Sequence, residues 1–206
     1  MVKGILDGSK TETIIEVKYN KKIKEAEVGF SIFTDNNTFE VRGIHDKGEY
    51  GISFFKMKHK VGDVLWVRES CQKQSKINQK NIDDYIYKAD NSNDLKNKEP
   101  YFRWLSSFFM PKEACRLFLK IKSIEIQRIQ DISELNCLKQ GIKQFTKDSK
   151  IFKFGFDTWK WGDMPKTAKE AFKLLWYSIN GKKYWEDNPY VFVYKFSVTK
   201  KPKDFI

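Results

Sequence analysis

Cys115-Arg116-Leu117-Phe118-Leu119-Lys120-Ile121 alternates strictly, with Cys115, Leu117, Leu119 and Ile121 on one side and Arg116, Phe118 and Lys120 on the other. A period of two sustained over that length predicts a half-buried β-strand. The strand continues, through a bulge at Ser123, to Ile129. Such a strand needs partners, and the chain offers several. Val61-Gly62-Asp63-Val64-Leu65-Trp66-Val67-Arg68-Glu69 reads as a strand with Gly62-Asp63 turning the chain into it, and residues 190–198 are apolar on both faces, as a central strand would be. Residues 13–17, 28–33, 39–44 and 52–57 read as shorter strands, separated by turn signals at Asp35-Asn36-Asn37 and Lys47-Gly48.

Helical signals are fewer. Val2, Ile5 and Leu6 recur at three- and four-residue spacing in a short helix over residues 2–10 that Gly8 closes. Asp131-Ile132-Ser133-Glu134 opens another with capping-box spacing, and Gly141 ends it. A longer helix begins near Pro165, carries the stripe Ala168, Ala171, Phe172, Leu175, Trp176 and Ile179, and stops at Gly181. Phe152, Phe154, Phe156, Trp159 and Trp161 alternate like a strand or hairpin, which suits a core or a partner interface better than base stacking. Residues 72–99 are polar and lysine-rich around Tyr85-Ile86-Tyr87, an extended insertion within one domain spanning residues 1–206. Many strands with few helices in a chain this short predict an α+β barrel with helical covers.

Composition narrows the function classes. The formal charge is +12 over 206 residues, which suits an anionic partner such as nucleic acid. Almost all of the excess is lysine, and arginine, the better reader of phosphates and base edges, stands only at Arg42, Arg68, Arg103, Arg116 and Arg128. Cys71, Cys115 and Cys137 are far apart, and His45 and His59 lie near none of them, so reduced thiols and no metal are expected. No apolar run reaches membrane-spanning length and residues 1–8 lack a secretory signal, so the expectation is a cytoplasmic chain with no membrane and no cofactor.

Four segments, in order, resemble the ASCH family, a branch of the PUA-like barrels, and in particular its larger phage and prophage members. They are Ile5-Leu6-Asp7-Gly8-Ser9-Lys10-Thr11-Glu12-Thr13, like the family's helix and GxKTxT signature; residues 61–69, like its GDxLWVRE strand; Ser107 through Met110-Pro111 and Arg116 to Gly141-Ile142; and residues 172–193 with Leu175-Trp176, Trp185 and Asn188-Pro189. The resemblance implies a PUA-like mixed β-barrel with a cleft beside its first helix. It also implies binding of RNA or a modified nucleobase. Some small members are amidohydrolases on N4-acetylcytidine that use a lysine, a threonine and a glutamate. Carried over by motif, these fall on Lys10, Thr13 and Gln140.

Glutamine cannot exchange protons, and Ile14-Ile15 replace the basic residue that usually follows the signature threonine. A threonine hydroxyl needs a base to become a nucleophile, so these departures favour binding over catalysis. Family members also carry a strand before the first helix, whereas this sequence opens at the helix. The candidate ligand residues are Lys10, Thr13, Arg68, Glu69, Arg116, Trp185 and Asn188. Each has a plainer reading: a cation at a helix end for Lys10, a β-branched strand residue for Thr13, an ion pair for whichever of Arg68 and Glu69 faces away from the cleft, a solvent-facing charge for Arg116, and a tight turn for Trp185 and Asn188. Three functions are therefore expected in this order: an RNA- or nucleoside-binding module, a hydrolase acting on an acylated nucleoside or on RNA, and a phage factor that binds a host nuclease or defence protein.

Overall fold

The computed structural model describes residues 2–17, 23–27, 38–45, 50–73, 85–90 and 103–205. In chain order these form helix α1 (Val2–Leu6) and strands β1 (Glu12–Glu16), β2 (Ile23–Glu27), β3 (Thr38–His45), β4 (Tyr50–Lys56), β5 (Val64–Trp66), β6 (Cys71–Lys73), β7 (Tyr85–Tyr87) and β8 (Phe118–Arg128). Helix α2 (Glu134–Leu138), hairpin strands β9 (Lys143–Lys147) and β10 (Ile151–Gly155), helices α3 (Ala168–Asn180) and α4 (Lys182–Glu186), and strand β11 (Tyr190–Thr199) follow.

The principal sheet has the order β1-β11-β8-β5, is antiparallel throughout and curls into a half-barrel. The strands expected around residues 61–69, 115–121 and 190–198 do share one sheet, and β11 is central, flanked by β1 and β8. Alternation along β11 explains its two apolar faces. Tyr190, Phe192 and Tyr194 join Val17, Met57 and Ile121 in one cluster, while Val191 faces the helices. On that helical side Phe172 and Trp176 of α3, Trp185 of α4, Cys137 of α2 and Ile132 just before α2 close a second core. Ile5 of α1 packs with Leu117, Leu119 and Phe196.

Several bounds differ from the sequence reading for local reasons. Strand β8 starts at Phe118, and its far register passes from Ser123 to Ile121, so Lys122 is the bulged residue, one place from the expected Ser123. Phe118 is as buried as its neighbours because Phe205 and Trp66 cover the face expected to meet solvent. The 61–69 strand shrinks to β5, since Gly62 adopts φ +96° in the turn before it. Helix α1 stops at Leu6, and Gly8 (φ +77°) reverses the chain so that Lys10 forms an isolated bridge. Helix α2 is capped by Ser133, not Asp131, the hydroxyl accepting from Asn136 N at 3.1 Å. Glu134 instead reaches across to α3, as described below. The stripe on α3 is buried from Ala168 to Trp176, but Ile179 at its end is 59% exposed.

Strands β2, β3 and β4 form a separate three-stranded sheet with β3 in the centre. The strand expected at residues 28–33 lies outside the described residues. So does most of the 72–99 insertion, of which β6, β7 and the turn 88–90 are described.

Candidate functional site

The turn after α1 brings Lys10 against the segment that ends α2. Lys10 and Gln140, 130 positions apart, form an antiparallel bridge, and Thr11 N and Glu12 N both donate to Lys139 O. The Lys10 stem lies against two glycines: a Cβ added at Gly4 would sit 3.2 Å from Lys10 Cβ, and one at Gly141, where φ is +90°, 3.4 Å from it. Side chains at either position would crowd the lysine, and Gly141 also needs its left-handed backbone.

Lys10 is only 5% exposed. Its ammonium donates to Glu12 O at 2.7 Å, Gln140 Oε1 at 3.1 Å and Gln140 O at 3.4 Å. These three acceptors are all neutral carbonyl oxygens, so burial pulls the Lys10 pKa down to about 8, against a partial lift from the Glu12 charge.

Glu12 is the unexpected member. Its residue exposure is 1%, and neither carboxylate oxygen accepts a hydrogen bond. Lys139 Nζ lies 3.2 Å from Oε1, within ion-pairing range but out of line for a hydrogen bond. Gln140 Nε2 is likewise buried without an acceptor. A buried carboxylate without hydrogen-bond donors is costly, and the Lys139 ion pair offsets only part of that cost. The seam between residues 9–12 and 139–141 therefore carries a carboxylate with an ion pair but no hydrogen bond, an amide donor without an acceptor and a lysine of lowered basicity. Thr13 is next along β1, so it projects to the opposite face from Glu12, where its strand partner is Tyr194. Among the described residues its hydroxyl makes no hydrogen bond with Lys10.

The other residues singled out in the sequence fall in separate places. Glu69 is buried and takes Arg116 in a two-pronged pair, Nε to Oε1 at 2.8 Å and Nη2 to Oε2 at 2.9 Å. Arg116 also pairs with Asp90 and lies 3.8 Å from the Tyr87 ring centre. Burial alone would lower its pKa, but the two carboxylates raise it above the ordinary guanidinium value. Arg116 thus ties β7 and its turn to the sheet, with each of its three nitrogens donating to a carboxylate. Trp185 is buried among Phe172 and Tyr177, its carbonyl accepting from Gln130 Nε2 at 2.8 Å. Asn188, at φ +43°, accepts from Gln130 N at 3.0 Å through Oδ1. Both hold the loop before β11. Arg68 is exposed and lies between Trp66 and Phe108.

All three cysteines are free and buried, and burial pushes the Cys137 thiol up to about 12, which makes it unreactive. Among the described residues no group of His, Cys, Asp and Glu is placed to hold a metal, and no helix is long and apolar enough to cross a membrane.

Sequence reasoning missed Glu12, although it sits inside the signature, because its spacing reads as the wet face of a strand. It also missed Phe108 and Phe109. No family model, curated protein or solved structure matches this chain.

Proposed function

We propose that this chain is a binding module of the ASCH type, a PUA-like barrel that takes RNA or a modified nucleoside at the Lys10–Glu12–Gln140 seam. The observation that supports this reading is the set of buried polar atoms there that make no hydrogen bond: both oxygens of Glu12, which has only the ion pair with Lys139, and Nε2 of Gln140. The edge of a nucleobase presents donors and acceptors in one plane, the complement of a carboxylate beside an amide N–H. Entry requires the backbone bonds from residues 11 and 12 to Lys139 O to part. The test is calorimetric titration of the protein with cytidine, N4-acetylcytidine, guanosine and uridine. At least one should bind, and Glu12→Gln should weaken it about tenfold or more, the cost of a charge-assisted hydrogen bond. A flat titration with every nucleoside removes this reading.

Glu12 also favours a second reading, an amidohydrolase on an acylated nucleoside. Gln140 cannot move a proton, but Glu12 sets a carboxylate near the Lys10 ammonium. The orientation of Thr13 away from Glu12 weighs against that residue as the nucleophile. Chromatography after incubation with N4-acetylcytidine separates the readings: turnover abolished by Glu12→Gln supports the enzyme, and binding without turnover supports the module.

A further inference from the structure

Strand β5 forms the opposite edge of the principal sheet from β1, the strand that follows the Lys10 seam. Here the chain exposes aromatic surface that the seam does not use. Phe108 and Phe109, in the short turn of helix Ser107–Phe109, are 71% and 67% exposed, with their rings 5.1 Å apart and perpendicular. The exposed Arg68 lies between this pair and the sheet, its guanidinium carbon 4.8 Å from the Trp66 ring centre and 5.9 Å from that of Phe108, and it donates to Phe108 O at 3.3 Å. Trp66 then borders a shallow, open hollow of about 480 Å³ lined by His59, Asp63, Val64 and Leu65. The hollow, Trp66, Arg68 and the two phenylalanine rings thus follow one another in a row.

Two adjacent phenylalanines left in water are costly surface, at about 25 cal/mol per Å² of apolar area. Nothing in their own packing requires it: the buried residue of that turn is Met110, beneath them. An aromatic row interleaved with arginine matches what single-stranded nucleic acid needs, since every base has a face to stack and every linkage a negative charge. The surroundings carry the complementary sign. Lys58 and Lys60 flank His59 at the hollow, Lys112 follows the phenylalanines, and all three are exposed in a chain of formal charge +12. Asp63 gives the hollow an acceptor, its Oδ2 already taken by Lys60 N at 2.9 Å and its other oxygen not. A carboxylate repels phosphate but can accept from a ribose 2′-hydroxyl, which distinguishes RNA from DNA.

We infer that the row Trp66–Arg68–Phe108–Phe109 is a stacking platform for single-stranded RNA, separate from the seam at Lys10. Two bases stack on the phenylalanines, Arg68 holds the linkage between them and Trp66, and a third nucleoside enters the hollow. The platform does not depend on the seam binding anything.

The probe is a fluorescein-labelled oligouridylate of about 12 nucleotides, within the span of single-strand sites, followed by anisotropy, beside an oligothymidylate of the same length. The protein should bind the RNA more tightly than the DNA. Phe108→Ala and Phe109→Ala should each weaken RNA binding about tenfold, the loss of one stacked base. Both rings are exposed, so neither change threatens the fold, and Phe108→Trp should keep the affinity because it keeps the stack. The alanine variants should leave nucleoside binding at the seam, read by calorimetry, unchanged, so loss of the platform is distinguishable from loss of the seam reading. Three results overturn the inference: no oligouridylate binding by the unmodified protein, alanine variants that bind as it does, or a Phe108→Ala change that alters only self-association in sedimentation.

Discussion

A lysine ammonium surrounded by neutral carbonyls is an uncommon use of charge, and Lys10 shows what it does to stability. Burial lowers its pKa from 10.5 to about 8. Below pH 8 the residue is charged in both the folded and unfolded chain, and the folded state bears a constant penalty. Between about pH 8 and 10.5 the folded chain has released the proton while the unfolded chain keeps it, so unfolding takes up a proton. Stability from this site therefore rises with pH across that window, by at most about 1.4 kcal/mol per pH unit. Urea unfolding of the protein and of Lys10→Met at several pH values should show that rise in the first and not in the second. Equal slopes would mean that the ammonium is better solvated than the geometry shows. The residue itself was legible in the signature around Gly8-Ser9-Lys10-Thr11, but its three acceptors were not, because two of them belong to Gln140. Glu12 was illegible for the same reason. A strand glutamate reads as wet until a distant segment, here residues 139–141, covers it.

Elements were easier to read than their joints. The period of two in β8 and the period near 3.6 in α3 come from contiguous residues, and both elements form, although β8 begins at Phe118 and not at Cys115. What escaped is how one element finishes another. Glu134 looked like the third position of a capping box opened by Asp131, yet its Oε2 accepts from Ala168 N at 2.7 Å and Lys169 N at 3.1 Å, the first turn of α3. Thr167 fills the neighbouring cap, accepting from Glu170 N at 3.1 Å. A carboxylate from α2 thus satisfies two of the amides that every helix start leaves open, and its charge suits the positive end of the helix dipole. Glu134→Ala should destabilise the protein by about 1 kcal/mol, in the range of lost caps, read as a lower urea midpoint at unchanged slope. Glu134→Gln, which keeps an acceptor oxygen, should recover part of it. No loss on Glu134→Ala would show that water replaces the carboxylate without cost.

At the scale of the whole molecule, the excess of 39 lysines and arginines over 27 acidic residues is a statement about partners, not about fold. It says nothing about which cations meet a phosphate, and the structure divides them sharply. Arg116 is committed to Glu69 and Asp90, Lys195 to Glu125, and Lys143 to Asp7 and Asp157. Lys10, the cation the signature points to first, is 5% exposed and donates only to carbonyls, so a phosphate could reach it only by breaking them apart. Arg68 is exposed and makes a single hydrogen bond, 3.3 Å long, to Phe108 O. Salt dependence measures this division. For a single strand, each neutralised phosphate contributes about 0.7 to the slope of log affinity against log salt concentration. Arg68→Ala should therefore lower the slope for oligouridylate by about 0.7 as well as weakening binding. Lys10→Met should leave the slope unchanged, whatever it does to nucleoside binding at the seam. Anisotropy titrations from low to physiological salt decide between them. A slope flattened by Lys10→Met and untouched by Arg68→Ala would place the phosphates at the seam, which would then have to open on binding.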